Sequence, residues 1–179
     1  MPWGDYGEIL LVGMTGHLDR HNGLLQYERT GPFQPDIIIS GVNDLLVTNS
    51  VKSKIELSDL KGFEFKPVLK QHISQVEWTS WNFLKDEPEF YPDGGEPENY
   101  ILSLPHSQEI ADKMETVWEV IIDENGTLID RMYSQGDEEI DIMRPKNSLS
   151  LIVTERAKDW IEINCTSWLE FLDLEEMFD

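Results

Sequence analysis

The chain has 179 residues, of which 40% are hydrophobic and 10% aromatic, and this composition suits one domain with a sizeable core. Its 35 acidic and 14 basic residues give a net charge of −21, which disfavours binding to nucleic acid or to an anionic membrane surface. The single cysteine, Cys165, excludes an intrachain disulfide and any metal site that needs several cysteines.

The N-terminal quarter predicts strands joined by turns. Residues 6–14 form an apolar run typical of a first strand, and residues 24–29 are expected to return as its hairpin partner after a polar turn at 16–23. Two prolines and a glycine predict a loop over residues 29–36. The three isoleucines at 37–39 then predict a buried strand.

Residues 45–68 predict a strand, a helix, a turn and a second strand, and the rest of the chain is organised around this unit. The first strand ends near Thr48, whose hydroxyl, like that of Ser50, is suited to cap the helix. Gly62 fits the helix terminus, and an extended segment is expected from Phe63 onwards. The buried stripe of the helix is expected to hold Val51, Ile55 and Leu60.

Residues 151–174 repeat this pattern at a constant offset. Identical pairs at this offset include Val47/Val153, Thr48/Thr154, Lys52/Lys158, Ile55/Ile161, Glu56/Glu162, Glu64/Glu170 and Phe65/Phe171. An internal duplication explains these matches, and chance similarity within a short window also explains them, so both explanations stay open. In either case the sequence predicts two similar strand–helix–strand units within a single domain spanning residues 1–179.

The segment between the two units begins with extended chain and then becomes acidic. Residues 69–73 continue the strand, and residues 76–81 are expected to follow as an exposed edge. Residues 85–99 contain three prolines, two glycines and six acidic side chains, which predict a long acidic loop. A short strand is expected at 100–104. Ser107 is then expected to cap a helix that ends near residue 114.

The second half of the chain predicts more strand than helix. Residues 117–130 predict a β-hairpin, because Asn125 and Gly126 supply the positive backbone dihedrals of a tight turn. Residues 135–141 predict a second acidic loop before the second unit. Strands dominate and helices are few and short, so the expected class is α+β with a mostly antiparallel sheet.

No catalytic signature is recognisable in the sequence. It lacks the G-x-S-x-G pattern of acyl-transfer serines, a phosphate-binding glycine loop and a dinucleotide fingerprint. His17 and His21 stand four apart, but flanking glycines favour a turn over a zinc-binding helix. We therefore expect no enzyme, no cofactor and no metal. Because carboxylate pairs are abundant, a carboxylate-dependent hydrolase stays open as a less favoured alternative.

The location of the protein is predicted from its N-terminus and its hydropathy. The N-terminal residues lack the basic region and long apolar run of a signal peptide. No apolar stretch reaches the length of a membrane span. A single cysteine also fits a reducing compartment. We expect a cytoplasmic protein that binds neither membranes nor nucleic acid.

Negative charge is concentrated in residues 85–141, referred to below as the acidic third. This segment holds 17 acidic and three basic side chains, and so supplies −14 of the total −21. Aromatic side chains beside acidic ones suit a protein interface with an opposite-signed partner, although a solvated loop beside core tryptophans explains the same pattern. The predicted partner-binding residues are Trp78, Trp81, Asp86, Glu87, Glu89, Phe90, Tyr91, Asp93, Glu96, Glu98, Asp137, Glu138 and Glu139.

Three segments, residues 29–33, 47–68 and 95–107, resemble small bacterial immunity proteins of polymorphic toxin systems. Residues 153–171 are similar, more loosely, to the strand–helix pattern at the C-terminus of such proteins. The resemblance implies a cytosolic inhibitor without enzymatic activity, which binds one cognate toxin domain and occludes its active site or an adjacent surface. Many such toxins are nucleases with basic surfaces, so the expected partner is basic. A non-catalytic scaffold protein stays the main alternative.

Overall fold

The computed structural model describes residues 9–40, 44–80, 97–122, 127–129, 132–134, 140–146, 148, 150–165 and 169–173. They contain a mostly antiparallel set of strands, one parallel pair and a few short helices, which confirms the α+β class. In chain order the elements are β1 (Gln26–Gly31), β2 (Ile37–Ile39), β3 (Leu45–Thr48), α1 (Asn49–Glu56), β4 (Glu64–Pro67), β5 (Leu69–Gln75), a 3₁₀ turn (Trp78–Ser80), α2 (Pro97–Ser103), α3 (Gln108–Lys113), β6 (Val117–Ile121), β7 (Thr127–Ile129), β8 (Met132–Ser134), β9 (Ile142–Met143), β10 (Ile152–Val153) and α4 (Glu155–Asn164).

A four-stranded antiparallel sheet in the order β2–β3–β6–β4 lies at the centre of the molecule. Successive side chains of a strand point to opposite faces of its sheet. On β3, Val47 therefore joins a core with Ile55 of α1 and Ile161 of α4, whereas Leu46 joins a second core with Tyr27 of β1. Both faces of the sheet are thus covered, one by helices from the two units and the other by β1.

β1 and β5 form a separate parallel pair, with Gln26 opposite Leu69 and Gly31 opposite Gln75. Helix α2 packs against both strands, and α3 packs against β5. Ser107 caps α3 as expected, since its hydroxyl accepts a hydrogen bond from the N–H of Ile110. A parallel pair needs a long crossover, which here is the whole first unit, so local sequence pattern did not reveal it.

The predicted first strand is wrong within its described part, because residues 9–11 are helical. Met14, the last residue of the predicted strand, forms an isolated antiparallel bridge to Glu28. Leu10 is fully buried, and its carbonyl accepts a hydrogen bond from the guanidinium of Arg29. A short apolar run fits a buried helical turn as well as a buried strand, so the run alone did not distinguish them.

Arg29 lies within β1, which continues to Gly31, so the first residues of the predicted loop at 29–36 are strand instead. Its side chain is 0% exposed and donates to the carbonyl of Thr30 at 2.6 Å and to the hydroxyl of Tyr27 at 3.1 Å. Burial raises the pKa of the Tyr27 hydroxyl, and it outweighs the nearby positive charge of Arg29, which lowers that pKa. These bonds satisfy donors of a buried guanidinium.

The middle of the chain departs from prediction in three places. Residues 100–103, expected as strand, belong to α2, and residues 78–80 form a 3₁₀ turn instead of an edge strand. β6 pairs with β3 and β4, and β7 pairs with β8, so the described residues of β6 and β7 do not pair as the predicted hairpin requires, while its turn at Asn125 and Gly126 lies outside the described residues. Long-range strands provide β6 with apolar neighbours on both sides, and this outweighs its local hairpin signal.

The helices of the two units begin in the same way. The hydroxyl of Thr48 accepts from the N–H of Val51 at 3.4 Å, and the hydroxyl of Thr154 accepts from the N–H of Ala157 at 3.2 Å. The two threonines have φ and ψ of −69° and 160°, and of −71° and 157°. The prediction of a capped helix is therefore confirmed, with Thr48 rather than Ser50 as the cap.

The two units differ after their helices. In the first unit α1 ends at Glu56, and Gly62 lies beyond it with a φ of +89°, so this glycine belongs to the turn before β4 and not to the helix terminus. In the second unit residues 169–173 belong to no strand. Phe171 nevertheless packs against the same core as its counterpart Phe65.

Both caps should contribute to stability. Thr48→Ala is expected to lower the free energy of unfolding by about 1 kcal/mol, because it removes the acceptor of one helix N–H. Thr154→Ala should lower it by more, because it also removes the hydroxyl that donates to the buried carboxylate of Asp141. Urea denaturation measures both changes, and Thr116→Ala, at an exposed position outside the helices, is the matched control. If one cap variant unfolded with the same free energy as the wild type, the assignment of that threonine as a helix cap would be contradicted.

Asp141 joins the two units. Its carboxylate accepts from the hydroxyl of Thr154 at 2.7 Å, from the backbone N–H of Lys61 at 2.8 Å and from the guanidinium of Arg156 at 2.5 Å. Its backbone N–H donates to the carbonyl of Lys61, and its carbonyl accepts from the N–H of Thr154. Asp141 was predicted to lie in an acidic surface loop, but it is 2% exposed. A buried carboxylate needs such partners.

Burial on its own would raise the pKa of Asp141, but hydrogen bonds from Arg156, Thr154 and Lys61 outweigh it, and the pKa lies below its ordinary value. The unfolded value is about 3.9. The stabilisation from Asp141 is therefore complete above that pH and is lost as the pH falls through the lower folded pKa.

Asp141→Ala should lower the free energy of unfolding by about 2–3 kcal/mol at neutral pH, because it removes several charge-assisted hydrogen bonds at once. Urea denaturation across pH 3 to 7 measures this change, and the difference between wild type and variant should shrink towards the acidic end. Asp159→Ala, an exposed carboxylate on α4, is the control. A difference that does not change with pH would contradict the assignment.

Candidate protein-binding surface

The structure describes Trp78 and Glu98 among the predicted partner-binding residues. The others lie outside the described residues: Trp81, Asp86, Glu87, Glu89, Phe90, Tyr91, Asp93, Glu96, Asp137, Glu138 and Glu139. The described chain ends at residue 80 and begins again at residue 97, so Trp78 and Glu98 lie just before and just after the first of these segments.

Trp78 is held at the end of the β1–β5 pair. The N–H of Val76 donates to the carbonyl of Gly31 at 2.9 Å, and this bond carries the pairing one residue beyond β5. The 3₁₀ turn then places the ring of Trp78 edge-on to Phe33, with centroids 5.4 Å apart and planes at 63°. Both rings are half-buried. Trp78 is thus an anchored aromatic side chain with part of its surface open to solvent.

Glu98 lies in the first turn of α2 and is exposed. The helix is fixed by Ile101, which is 0% exposed and lies three residues later. Because α2 packs against β1 and β5, Glu98 and Trp78 are attached to the same two strands. The parallel pair therefore supports both described members of the predicted surface.

Two histidines that the sequence gave no reason to connect lie side by side next to this region. The rings of His72 and His106 have centroids 5.9 Å apart. The N–H of Ile73 donates to Nδ1 of His106 at 3.0 Å, and Nε2 of His72 bonds the carbonyl of Leu104 at 2.9 Å. These bonds attach the link between α2 and α3 to β5, and this contact between distant segments has no local sequence signal.

The described carboxylates of the acidic third fall into two groups. Those on or beside α2 and α3 are exposed: Glu98, Glu109, Asp112 and Glu115. Glu119 and Asp141 are buried, at 5% and 2% exposure, and each is bound by an arginine. The first group is available to a partner, whereas the second belongs to the internal structure.

Glu119 forms one wall of a polar cleft of about 230 Å³, which Arg20, Asp44 and Arg144 also line. Its two carboxylate oxygens accept from the two terminal nitrogens of Arg20 at 2.6 and 2.8 Å. Asp44 accepts from the hydroxyl of Thr15 at 2.7 Å. Arg20 therefore engages both oxygens of the Glu119 carboxylate in a bidentate ion pair.

The remaining candidate groups do not assemble into a reactive centre within the described residues. No group of three or more His, Cys, Asp or Glu side chains there is placed to hold a metal ion, and His17 bonds Glu28 at 2.8 Å. Burial, together with the charge of Asp36, raises the pKa of the Cys165 thiol to about 11. A thiol with that pKa is a poor source of the nucleophilic thiolate.

No protein-family model, curated protein or solved structure matches the chain. The likeness to immunity proteins therefore stays a prediction from the sequence. In the part of the chain that the structure describes, no helix combines the length and apolar character needed to cross a bilayer.

The ion pair in the polar cleft should act as a structural contact. Arg20→Ala leaves the buried charge of Glu119 without its counter-ion and is expected to lower the free energy of unfolding by about 3 kcal/mol. The double variant Arg20→Met/Glu119→Met should recover most of this loss in urea denaturation, because no uncompensated charge remains. Lys113→Ala, in an exposed pair with Glu109, is the control and should change stability by less than about 1 kcal/mol.

A double variant less stable than Arg20→Ala would contradict that account, since the loss would then come from something other than the unpaired charge.

Proposed function

We propose that this protein is an immunity-type inhibitor, a cytoplasmic and non-catalytic binder of one cognate toxin domain. The observation that carries the proposal is the concentration of negative charge, because the acidic third supplies −14 of the net −21. Exposed carboxylates on α2 and α3, which include Glu98, Glu109 and Asp112, extend this charge onto helices packed against the scaffold.

A toxin domain with a basic surface is the partner whose chemistry fits. Nucleases hold phosphates with lysine and arginine, and an acidic protein can occupy the same surface in place of nucleic acid. Opposite charges also raise the rate of encounter between two proteins.

Trp78 supports the same proposal because it supplies an apolar anchor for a protein interface. Interfaces draw most of their binding energy from a few anchored side chains, tryptophan prominent among them, with polar groups around them. The ring of Trp78 is held by Phe33 and stands directly before the aromatic and acidic segment. We therefore keep residues 78–98 and 137–139 as the proposed toxin-facing set, and we assign Glu119 and Asp141 to the scaffold.

Co-expression in a sensitive bacterium tests the proposed function. The toxin candidate is the C-terminal domain encoded by the neighbouring upstream reading frame. That domain alone is expected to arrest growth, and this protein is expected to restore it. A toxic domain that the protein neither binds nor neutralises would contradict the pairing.

The acidic segment should control the association rate. Reversing four charges together, Glu87→Lys, Glu89→Lys, Glu96→Lys and Glu98→Lys, is expected to slow association at least tenfold at low salt and to weaken its dependence on ionic strength. Stopped-flow or surface-based kinetics against the toxin domain measure both quantities. The dissociation rate should change less, because long-range attraction acts mainly on encounter.

A matched control reverses four exposed charges elsewhere: Asp59→Lys, Glu64→Lys, Asp159→Lys and Glu162→Lys. It changes the net charge by the same amount, so a smaller effect on association separates local complementarity from overall charge. Equal slowing by both variants would contradict a specific role for the acidic segment, as would unchanged kinetics for the first variant.

A further inference from the structure

The two units, together with residues of β2 and β9, line an apolar cavity of about 140 Å³ that is open on one side, referred to below as the inter-unit cavity. Every side chain in its lining is hydrophobic except that of Glu170. Residues from the central sheet, from both helices and from the segment after α4 contribute to it. Among them are Val47, Ile55, Val153, Trp160, Ile161 and Glu170.

Equivalent positions of the two units line this space together. The lining contains both members of three matched pairs, which are Leu45/Leu151, Val47/Val153 and Ile55/Ile161. The cavity therefore lies where the two strand–helix pieces meet, and it is bounded by the same core that packs α1 and α4.

One wall of the cavity is fixed and the other reaches solvent. Val47, Ile55 and Ile161 are buried, at 2%, 5% and 7% exposure. Ile39, at the end of the sheet-edge strand β2, is 45% exposed, and Glu170 is exposed as well. The lining therefore combines a rigid apolar floor with a side that a small molecule can approach.

The chemistry of the lining selects the kind of occupant. Water needs two or more polar partners in order to stay in a cavity, and an apolar cavity of about 150 Å³ in another protein stays dry and binds benzene or xenon. The hydrophobic walls here leave a charged or strongly polar molecule without hydrogen bonds for its buried groups. An apolar molecule would instead regain the packing contacts that empty space forfeits.

We propose that the inter-unit cavity is a binding site for one small, uncharged molecule about the size of a six-membered hydrocarbon ring. Its lining includes neither Trp78 nor Glu98, the two described members of the proposed toxin-facing set. It also lies apart from the polar cleft of Arg20 and Glu119, which shares only Leu45 of its lining.

Benzene is the probe for the test, with the full-length protein labelled at its isoleucine δ methyl groups. Titration followed by ¹H–¹³C NMR should give saturable shifts at Ile55 and Ile161, which line the cavity. The methyl of Ile163, 81% exposed and outside the lining, should not shift. Absence of saturable shifts up to the solubility limit of benzene would overturn the proposal.

Filling the cavity provides the second arm. Val153→Phe places a ring in the space and is expected to weaken benzene binding at least tenfold, whereas Ile163→Phe, the same kind of change outside the cavity, should bind as the wild type does. Leu169→Phe, on the segment after α4, serves the same purpose if Val153→Phe does not fold. Wild-type affinity in a folded, cavity-filled variant would overturn the assignment.

Discussion

The fold depends most on the hydrogen bonds that converge on Asp141. One side chain receives donors from the end of the first unit, through Lys61, and from the start of the second helix, through Thr154 and Arg156. Because the carboxylate is buried, these bonds are required and not optional. Val47, Ile55 and Ile161 then pack as one core across the same junction.

This junction also constrains the acidic third. Asp141 is its last residue, and α2 and α3 are packed on the β1–β5 pair, so these described parts of the segment are attached to the scaffold. The carboxylates therefore serve two purposes. Glu119 and Asp141 hold arginines inside the fold, and the exposed ones produce the surface charge on which the proposed recognition of a basic partner depends.

Local signals in the sequence were sufficient for the fold class, for β2 and β3, and for the caps at Thr48, Thr154 and Ser107, because each of these features depends on neighbouring residues. Features set by distant residues were missed. The parallel β1–β5 pair and the Arg20–Glu119 ion pair join segments with no shared local pattern. Glu119, a charged residue within the apolar strand at 117–121, was the one local indication in the sequence of a buried ion pair. Of the predicted site, only Trp78 and Glu98 lie within the described residues.

Native-state hydrogen exchange tests most directly whether Asp141 makes the two units one cooperative body. The amides of Ile55 in α1 and Ile161 in α4 report separately on the first and second units. If the units are joined as described, both amides should exchange only through global unfolding, with the same opening free energy and the same dependence on denaturant. Exchange of Ile161 through an opening that leaves Ile55 protected would contradict the account, since the second unit would then open alone.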